Sequence, residues 1–185
     1  MMAWRAPIVL SLFFALPGAP SALADGRVDA IHEYGTLRCG VIENIPEMSE
    51  DINGTYVGYD VEFCKDLAKR LGVAPQIVPI ATGDEYRALR FDQKVDLVIG
   101  HSKPDEAKAK RVTISIPYFG FDDNDVRVII SPVSDTSLEK LINSFVWDQI
   151  ITGRQAKLHN DFTGEKAPNL KDRTCGYNAC PWLTQ

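Results

Sequence analysis

The sequence lacks the patterns that mark most metal-binding and hydrolytic proteins. Its three histidines and four cysteines form neither a C-x-x-C nor an H-x-x-x-H pair, which argues against a zinc site. No G-x-S-x-G or P-loop signature occurs, and we find no internal repeat or low-complexity tract. We therefore expect neither a metal nor a cofactor.

Basic blocks are also missing. The formal net charge is −5, from 20 lysines and arginines against 25 aspartates and glutamates. Nucleic acid and anionic lipid attract clustered positive charge, so we expect neither as a partner. The composition, 45% hydrophobic and 24% charged residues, is ordinary for a soluble globular protein.

The amino terminus has the order of a secretory signal peptide. Arg5 precedes an apolar run at residues 8–16, and small residues ending in an A-x-A site follow. The run is far shorter than the roughly 20 residues that span a bilayer, so a retained membrane anchor is the weaker alternative. We predict that residues 1–24 are removed and that the mature chain is exported to the periplasm.

Cysteines in an exported chain favour disulfides. Cys39 and Cys64 fall in the predicted strand and helix of one unit, while Cys175 and Cys180 bracket a four-residue loop. We predict two local pairs, Cys39–Cys64 and Cys175–Cys180. Buried free thiols are the alternative for the first pair.

Strands and helices alternate in the first part of the mature chain. The hydrophobic pattern predicts strands at 36–42, 75–80 and 95–99 and helices at 60–71 and 84–91. This order, with short connections, predicts a parallel sheet covered by helices. Ligands of such sheets bind beyond the carboxyl ends of the strands, which here means the loop from Glu43 and the segment from His101.

The remaining pattern is less regular. We predict further helices at 27–34, 104–110 and 137–151 and an alternating strand at 125–130. From Gly153 onward the sequence shows little periodicity. Asp60 stands where a helix begins, and we interpret it as a helix cap.

Four segments follow one another at characteristic spacing. They are Gly35-Thr-Leu-Arg-Cys-Gly-Val41, Asn53-Gly54 with Gly58-Tyr-Asp-Val-Glu-Phe-Cys-Lys-Asp-Leu-Ala68, Lys94-Val-Asp-Leu-Val-Ile-Gly100 and Pro117-Tyr-Phe119. Together they resemble solute-binding protein family 3, periplasmic receptors that serve ABC importers, mostly for amino acids. The resemblance covers residues 27 to about 130.

The resemblance implies two α/β lobes joined by a hinge, with the ligand held between them. Residues 25–130 would form the first lobe, and the strand at 125–130 would be the first crossing of the hinge. Residues 131–185 are too few for the usual second lobe. We expect them to form a short tail that is a partial second lobe or irregular.

The family also implies a carboxylate-binding segment after the third strand. Aligned on Gly100, the family's threonine position is Asp105 and its arginine position is Lys108. Lysine attracts an anion as a point charge rather than through two parallel hydrogen bonds. Lys108, or Lys103 in its place, would then hold the ligand carboxylate. The alternative is that these charges form a solvated helix face.

Other ligand contacts follow from the same resemblance. His101 and Ser102 are the further polar candidates in this segment. Ile45 and Met48 stand where the family places an aromatic residue that stacks on the ligand. The alternative for both is that they pack onto their own lobe.

The leading hypothesis is a monomeric binding protein that delivers a small polar solute to the membrane subunits of an ABC importer and performs no catalysis. One alternative is a non-functional truncated copy, or a single-lobe protein that binds a partner. A less favoured alternative is an enzyme similar to a cyclohexadienyl dehydratase, for which Glu43, Glu47 or Asp105 would act as acid or base.

Overall fold

The structure, a computed structural model, describes residues 26–44, 48–101, 110–120, 126–133 and 136–170. Its elements in chain order are α1 (Arg27–Tyr34), β1 (Thr36–Ile42), β2 (Ser49–Glu50), β3 (Tyr56–Val57), α2 (Tyr59–Leu71), β4 (Ala74–Ile80), a π-helical turn (Arg87–Phe91), β5 (Leu97–His101), β6 (Val112–Ile114), β7 (Phe119–Gly120), β8 (Val126–Pro132), α3 (Thr136–Ile151) and α4 (Arg154–Thr163).

The main sheet has the strand order β4-β1-β5-β8-β6, and β7 pairs with β8. Strand β1 is parallel to both β4 and β5, with Cys39 opposite Leu97. Strand β8 runs antiparallel to β5 and to β6. The predicted parallel arrangement is therefore correct for β4, β1 and β5, within a sheet that is mixed overall.

Side chains that alternate along the strands build two hydrophobic clusters, one on each face. On β5, Leu97 and Ile99 enter the larger cluster, while Val98 enters the smaller one. The larger cluster is shared with α1, α2, α3 and α4. The smaller cluster includes Ala88 and Leu89 of the π-helical turn.

Glycines end the first two helices. Gly35 follows α1 with φ of 66°, and Gly72 follows α2 with φ of 71°. Both donate their backbone N–H to carbonyls of the last helical turn, which satisfies groups that the helix leaves unpaired. The predicted bounds of α1 and β1 agree with the structure.

Helix α4 is a correction to the expectation of little order after Gly153. It buries Gln155, Leu158 and His159, and only one of these is apolar, so the periodic signal in the sequence was weak. The helix predicted at 84–91 becomes a π-helical turn over its second half. The helix predicted at 104–110 lies almost wholly outside the described residues.

Helices α3 and α4 return to the sheet rather than leaving it. Only residues 133–135 separate β8 from α3. Buried residues of α3, among them Leu138, Ile142 and Phe145, join the same cluster as β1 and β5. The described part of residues 131–185 thus adds to the first-lobe core. The division of the chain at residue 130 stays a prediction.

The predicted signal peptide, residues 1–24, lies outside the described residues. Within the described ranges, no helix combines the length and the apolar character needed to cross a membrane.

Candidate functional site

The carboxyl ends of the three parallel strands lie along one edge of the sheet, which we call the carboxyl edge. It includes Ile42 of β1, Ile80 of β4 and His101 of β5. Strand β8 starts at the same edge, because Val128 pairs with His101. Ligands of open α/β sheets bind beyond such an edge, so it is the candidate site.

The predicted ligand residues are only partly within the described chain. His101 ends β5 and therefore lies at the carboxyl edge. Ile45, Ser102, Lys103 and Lys108 lie outside the described residues. Their contacts with a ligand stay predictions.

Met48 is 1% exposed and belongs to the larger hydrophobic cluster. Its backbone N–H donates to the Asn44 carbonyl at 2.6 Å, and the Asn44 N–H donates back at 3.2 Å. Asn44 and Met48 therefore pair with each other, and the Met48 side chain packs into the core of the lobe. This placement agrees with the alternative that Met48 packs onto its own lobe, and a contact with ligand stays a prediction.

Three of the quoted segments meet next to the carboxyl edge. The Tyr118 hydroxyl donates a 2.6 Å hydrogen bond to Asp60 Oδ1. A Cβ atom added to Gly100 would lie 2.6 Å from Asp60 Oδ2, so only glycine allows the strand to approach the carboxylate this closely. We call Asp60, Tyr118 and Gly100 the carboxylate junction. It connects the start of α2, the end of β5 and the residue before β7.

Asp60 is not the helix cap that the sequence suggests. The residue before α2 is Gly58, no side chain caps the helix, and Asp60 is its second residue. The carboxylate is 1% exposed and accepts its hydrogen bond from a residue 58 positions away. The positive end of the α2 dipole favours a negative charge at this position.

Tyr118 of the junction and the neighbouring Tyr59 are both buried and remain protonated. Burial raises the pKa of Tyr118 well above its usual value, and the charge of Asp60 and their hydrogen bond raise it further, while Arg127 lowers it. Burial, with a smaller contribution from Asp60, likewise raises the pKa of Tyr59. Both hydroxyls are therefore hydrogen-bond donors throughout the physiological pH range.

Aromatic rings surround the junction. The ring of Tyr118 lies 4.8 Å from Phe63 and 5.9 Å from Tyr59, measured between centroids. The Tyr59 hydroxyl donates to the Tyr118 carbonyl at 3.2 Å. Because ring packing and hydrogen bonds act on the same residue, Tyr118 has little freedom to move.

A disulfide joins Cys39 of β1 to Cys64 of α2 and confirms the predicted pair. Both residues are fully buried. The bond fixes the helix that carries Asp60 to β1, which lies between β4 and β5 in the sheet. Cys175 and Cys180 lie outside the described residues.

The opposite, amino edge of the sheet holds a second buried carboxylate. Asp96, which directly precedes β5, accepts hydrogen bonds from Arg38 Nη2 at 2.7 Å, Arg38 Nε at 3.2 Å and the Arg38 backbone N–H at 2.9 Å. Arg27 Nη1 lies 3.4 Å from the same carboxylate. The hydrogen bond to Asp96 also raises the pKa of Arg38, against the opposing effect of burial.

Residues 37–165 match the sequence profile of the bacterial extracellular solute-binding proteins, family 3. The chain belongs to this family. The match extends beyond the segments quoted above and includes α3 and α4, so the returning helices are part of the family pattern.

Two known proteins are similar to this chain in sequence. The L-cystine-binding protein TcyJ of Escherichia coli strain K12 is 30% identical over 95 residues, which are 51% of this chain and 35% of TcyJ. The matched stretch thus spans about a third of that relative. The arginine-bound form of domain 1 from TmArgBP is 33% identical and has a TM-score of 0.60, over 65% of this chain and 98% of that domain.

A third similarity concerns the fold alone. An ancestral cyclohexadienyl dehydratase, AncCDT-3, has a TM-score of 0.66 over 77% of this chain and 98% of its own, at 18% identity. Family members and an enzyme thus share this architecture, and the site must decide between them.

Proposed function

We propose that this chain binds an amino acid, or a related small organic acid or amine, at the carboxyl edge, and that it delivers the solute in the periplasm to the membrane subunits of an ABC importer. The observation that carries the proposal is the likeness to domain 1 from TmArgBP, which is arginine-bound and which this chain covers almost completely. A first domain of this family can therefore hold a ligand.

The described residues form one lobe, so the proposed site is open on one side. A closed pocket buries most of its ligand, whereas a site on a single lobe leaves part of the ligand in water. We expect a dissociation constant in the micromolar to millimolar range, corresponding to roughly 4 to 8 kcal/mol of binding free energy.

The proposed contacts with the ligand carboxylate come from Lys103 and Lys108. An ammonium group attracts a carboxylate without fixing its orientation, because it lacks the planar fork of arginine. We therefore expect this site to be less selective among amino acids than one built on arginine.

Thermal unfolding and calorimetry of residues 25–185 with the disulfide intact test the proposal. L-cystine and each of the standard amino acids, including L-arginine, are titrated separately, and a ligand should raise the melting temperature as its concentration increases. Lys108→Ala should weaken binding, and the matched control is Lys110→Ala, whose exposed side chain lies near the start of β6. The proposal fails if no amino acid raises the melting temperature when its concentration is about 100 times the expected dissociation constant.

We also propose that the chain is not an enzyme. Glu43, one of the acids considered for dehydration, directly follows β1 and is exposed to solvent, whereas Glu47 and Asp105 lie outside the described residues. General acid catalysis benefits from an acid held near the substrate with a pKa suited to the reaction. Incubation with prephenate, followed by absorbance of the aromatic product, should give no turnover above the uncatalysed rate.

A further inference from the structure

The carboxylate junction places a charged group where it controls the end of a strand. Burying a carboxylate costs free energy that bonded partners must offset, so a buried carboxylate is held firmly by the groups around it. Asp60 is buried, bonded to Tyr118 at 2.6 Å and packed against Gly100. The position is next to the candidate site, because His101 directly follows Gly100 and ends β5.

Gly100 has a backbone conformation that few other residues adopt. Its φ is 93°, and its Cα is close enough to Asp60 that any side chain would collide with the carboxylate. The register between β5 and β8 also shifts between Val98 and His101, so the ladder is irregular here. Ladder hydrogen bonds alone therefore do not fix the direction in which the chain leaves the strand.

Tyr118 supplies the rigid support that the irregular strand end lacks. Its ring packs against those of Tyr59 and Phe63, and its backbone N–H donates to the Arg127 carbonyl at 3.1 Å. Strand β7 begins at the next residue. A hydroxyl held this firmly keeps Asp60 in one position. Asp60 in turn limits where Gly100 can lie.

We propose that Asp60 and Tyr118 are positioning residues for the solute site: together they set the direction in which the chain leaves β5 at Gly100 and His101, and so determine ligand affinity without contacting the ligand. This inference rests on the proposed function only for its effect on binding. Its effect on the strand end is independent of any ligand.

Two substitutions that preserve shape test the inference. Tyr118→Phe removes only the hydroxyl, and Asp60→Asn removes the charge while keeping the side-chain outline. Each should raise the dissociation constant for L-arginine or L-cystine, whichever binds the unmodified protein, by about tenfold. The double variant should bind the ligand no more weakly than either single variant, because the two residues act as one unit.

Ser115→Ala is the matched structural control. The Ser115 hydroxyl is also buried and takes part in two hydrogen bonds, accepting from the Ile129 N–H at 2.9 Å and donating to the Ile116 carbonyl at 2.7 Å. Its loss should lower the melting temperature without changing the dissociation constant. If Tyr118→Phe behaves like Ser115→Ala, the residue is only structural and the inference is wrong.

Amide hydrogen exchange gives the readout that needs no ligand. In Tyr118→Phe the amides of Gly100 and His101 should exchange about tenfold faster, while those of Leu97 and Val98 keep their rates. Unchanged exchange at Gly100 and His101 overturns the inference. Faster exchange in a protein that binds none of the amino acids supports the effect on the strand end and refutes both the proposed function and the effect on binding, so the two failures are distinguishable.

Discussion

Both edges of the sheet hold a buried aspartate, but the groups that bind the two carboxylates differ. Each has a buried aspartate beside β5, Asp96 before its first residue and Asp60 next to Gly100 near its last. At the amino edge, Arg38 surrounds the carboxylate with positive charge and hydrogen bonds. At the carboxyl edge, the neutral hydroxyl of Tyr118 donates to Asp60, and the charge of Arg127 also acts on Tyr118.

This difference indicates different tasks. A carboxylate bonded to arginine contributes Coulombic attraction and ties two strands together, so it serves stability. A carboxylate bonded to a fixed tyrosine and packed against a glycine defines the shape of the strand end. The comparison predicts that changes at the amino edge affect unfolding, whereas changes at the carboxyl edge affect binding.

The largest loss of unfolding free energy should follow from removal of the disulfide, which lies between the two edges. Replacing Cys39 and Cys64 with alanine removes a cross-link that closes 25 residues, and the free energy of unfolding should fall by about 3 kcal/mol. Guanidinium unfolding at equilibrium measures this loss. A fall below about 1 kcal/mol would mean that packing alone holds α2 to β1.

A smaller loss of unfolding free energy is expected from a substitution at the amino edge. Asp96→Ala removes the carboxylate that pairs with Arg38 and leaves the guanidinium bonded to the Gln93 carbonyl. The free energy of unfolding should fall by about 2 kcal/mol, a value reduced because Arg38 is partly exposed. Asp92→Ala is the control, since Asp92 pairs at 3.2 Å with the exposed Lys94. A changed dissociation constant for Asp96→Ala would contradict the separation of tasks between the edges.

The smallest loss of unfolding free energy should come from an exposed ion pair between two helices. Arg70 of α2 pairs with Asp148 of α3, and their side chains are 37% and 45% exposed. Exposed pairs contribute little because water and salt screen them, so Arg70→Ala should cost less than about 0.5 kcal/mol. A larger loss in thermal unfolding, one that disappears at 1 M salt, would show that helix contacts also depend on charge.

Local sequence patterns predict the elements that carry strong signals. Strand β1 and helix α1 have clear apolar positions and a glycine between them, and their bounds are as predicted. Strand β5 begins at Leu97 rather than at the predicted Val95. Asp96 is bonded to Arg38 there, a contact across 58 positions that no local pattern contains.

The candidate site is harder to predict from local sequence patterns. Asp60 and Tyr118 both stand in segments that carry the family resemblance, yet nothing in either segment says that they touch. The signal that could have found the pair is a charged residue inside an apolar helix face, since Asp60 is followed by Val61 and Phe63, which are both buried. A buried charge requires a partner, and the partner here is distant in sequence.

The short connection between β8 and α3 makes the lobe suitable for domain insertion. Residues 133–135 are its whole length, so Pro132 and Thr136 are at most about 14 Å apart. A module whose own termini lie this close could be inserted there without redirecting either element.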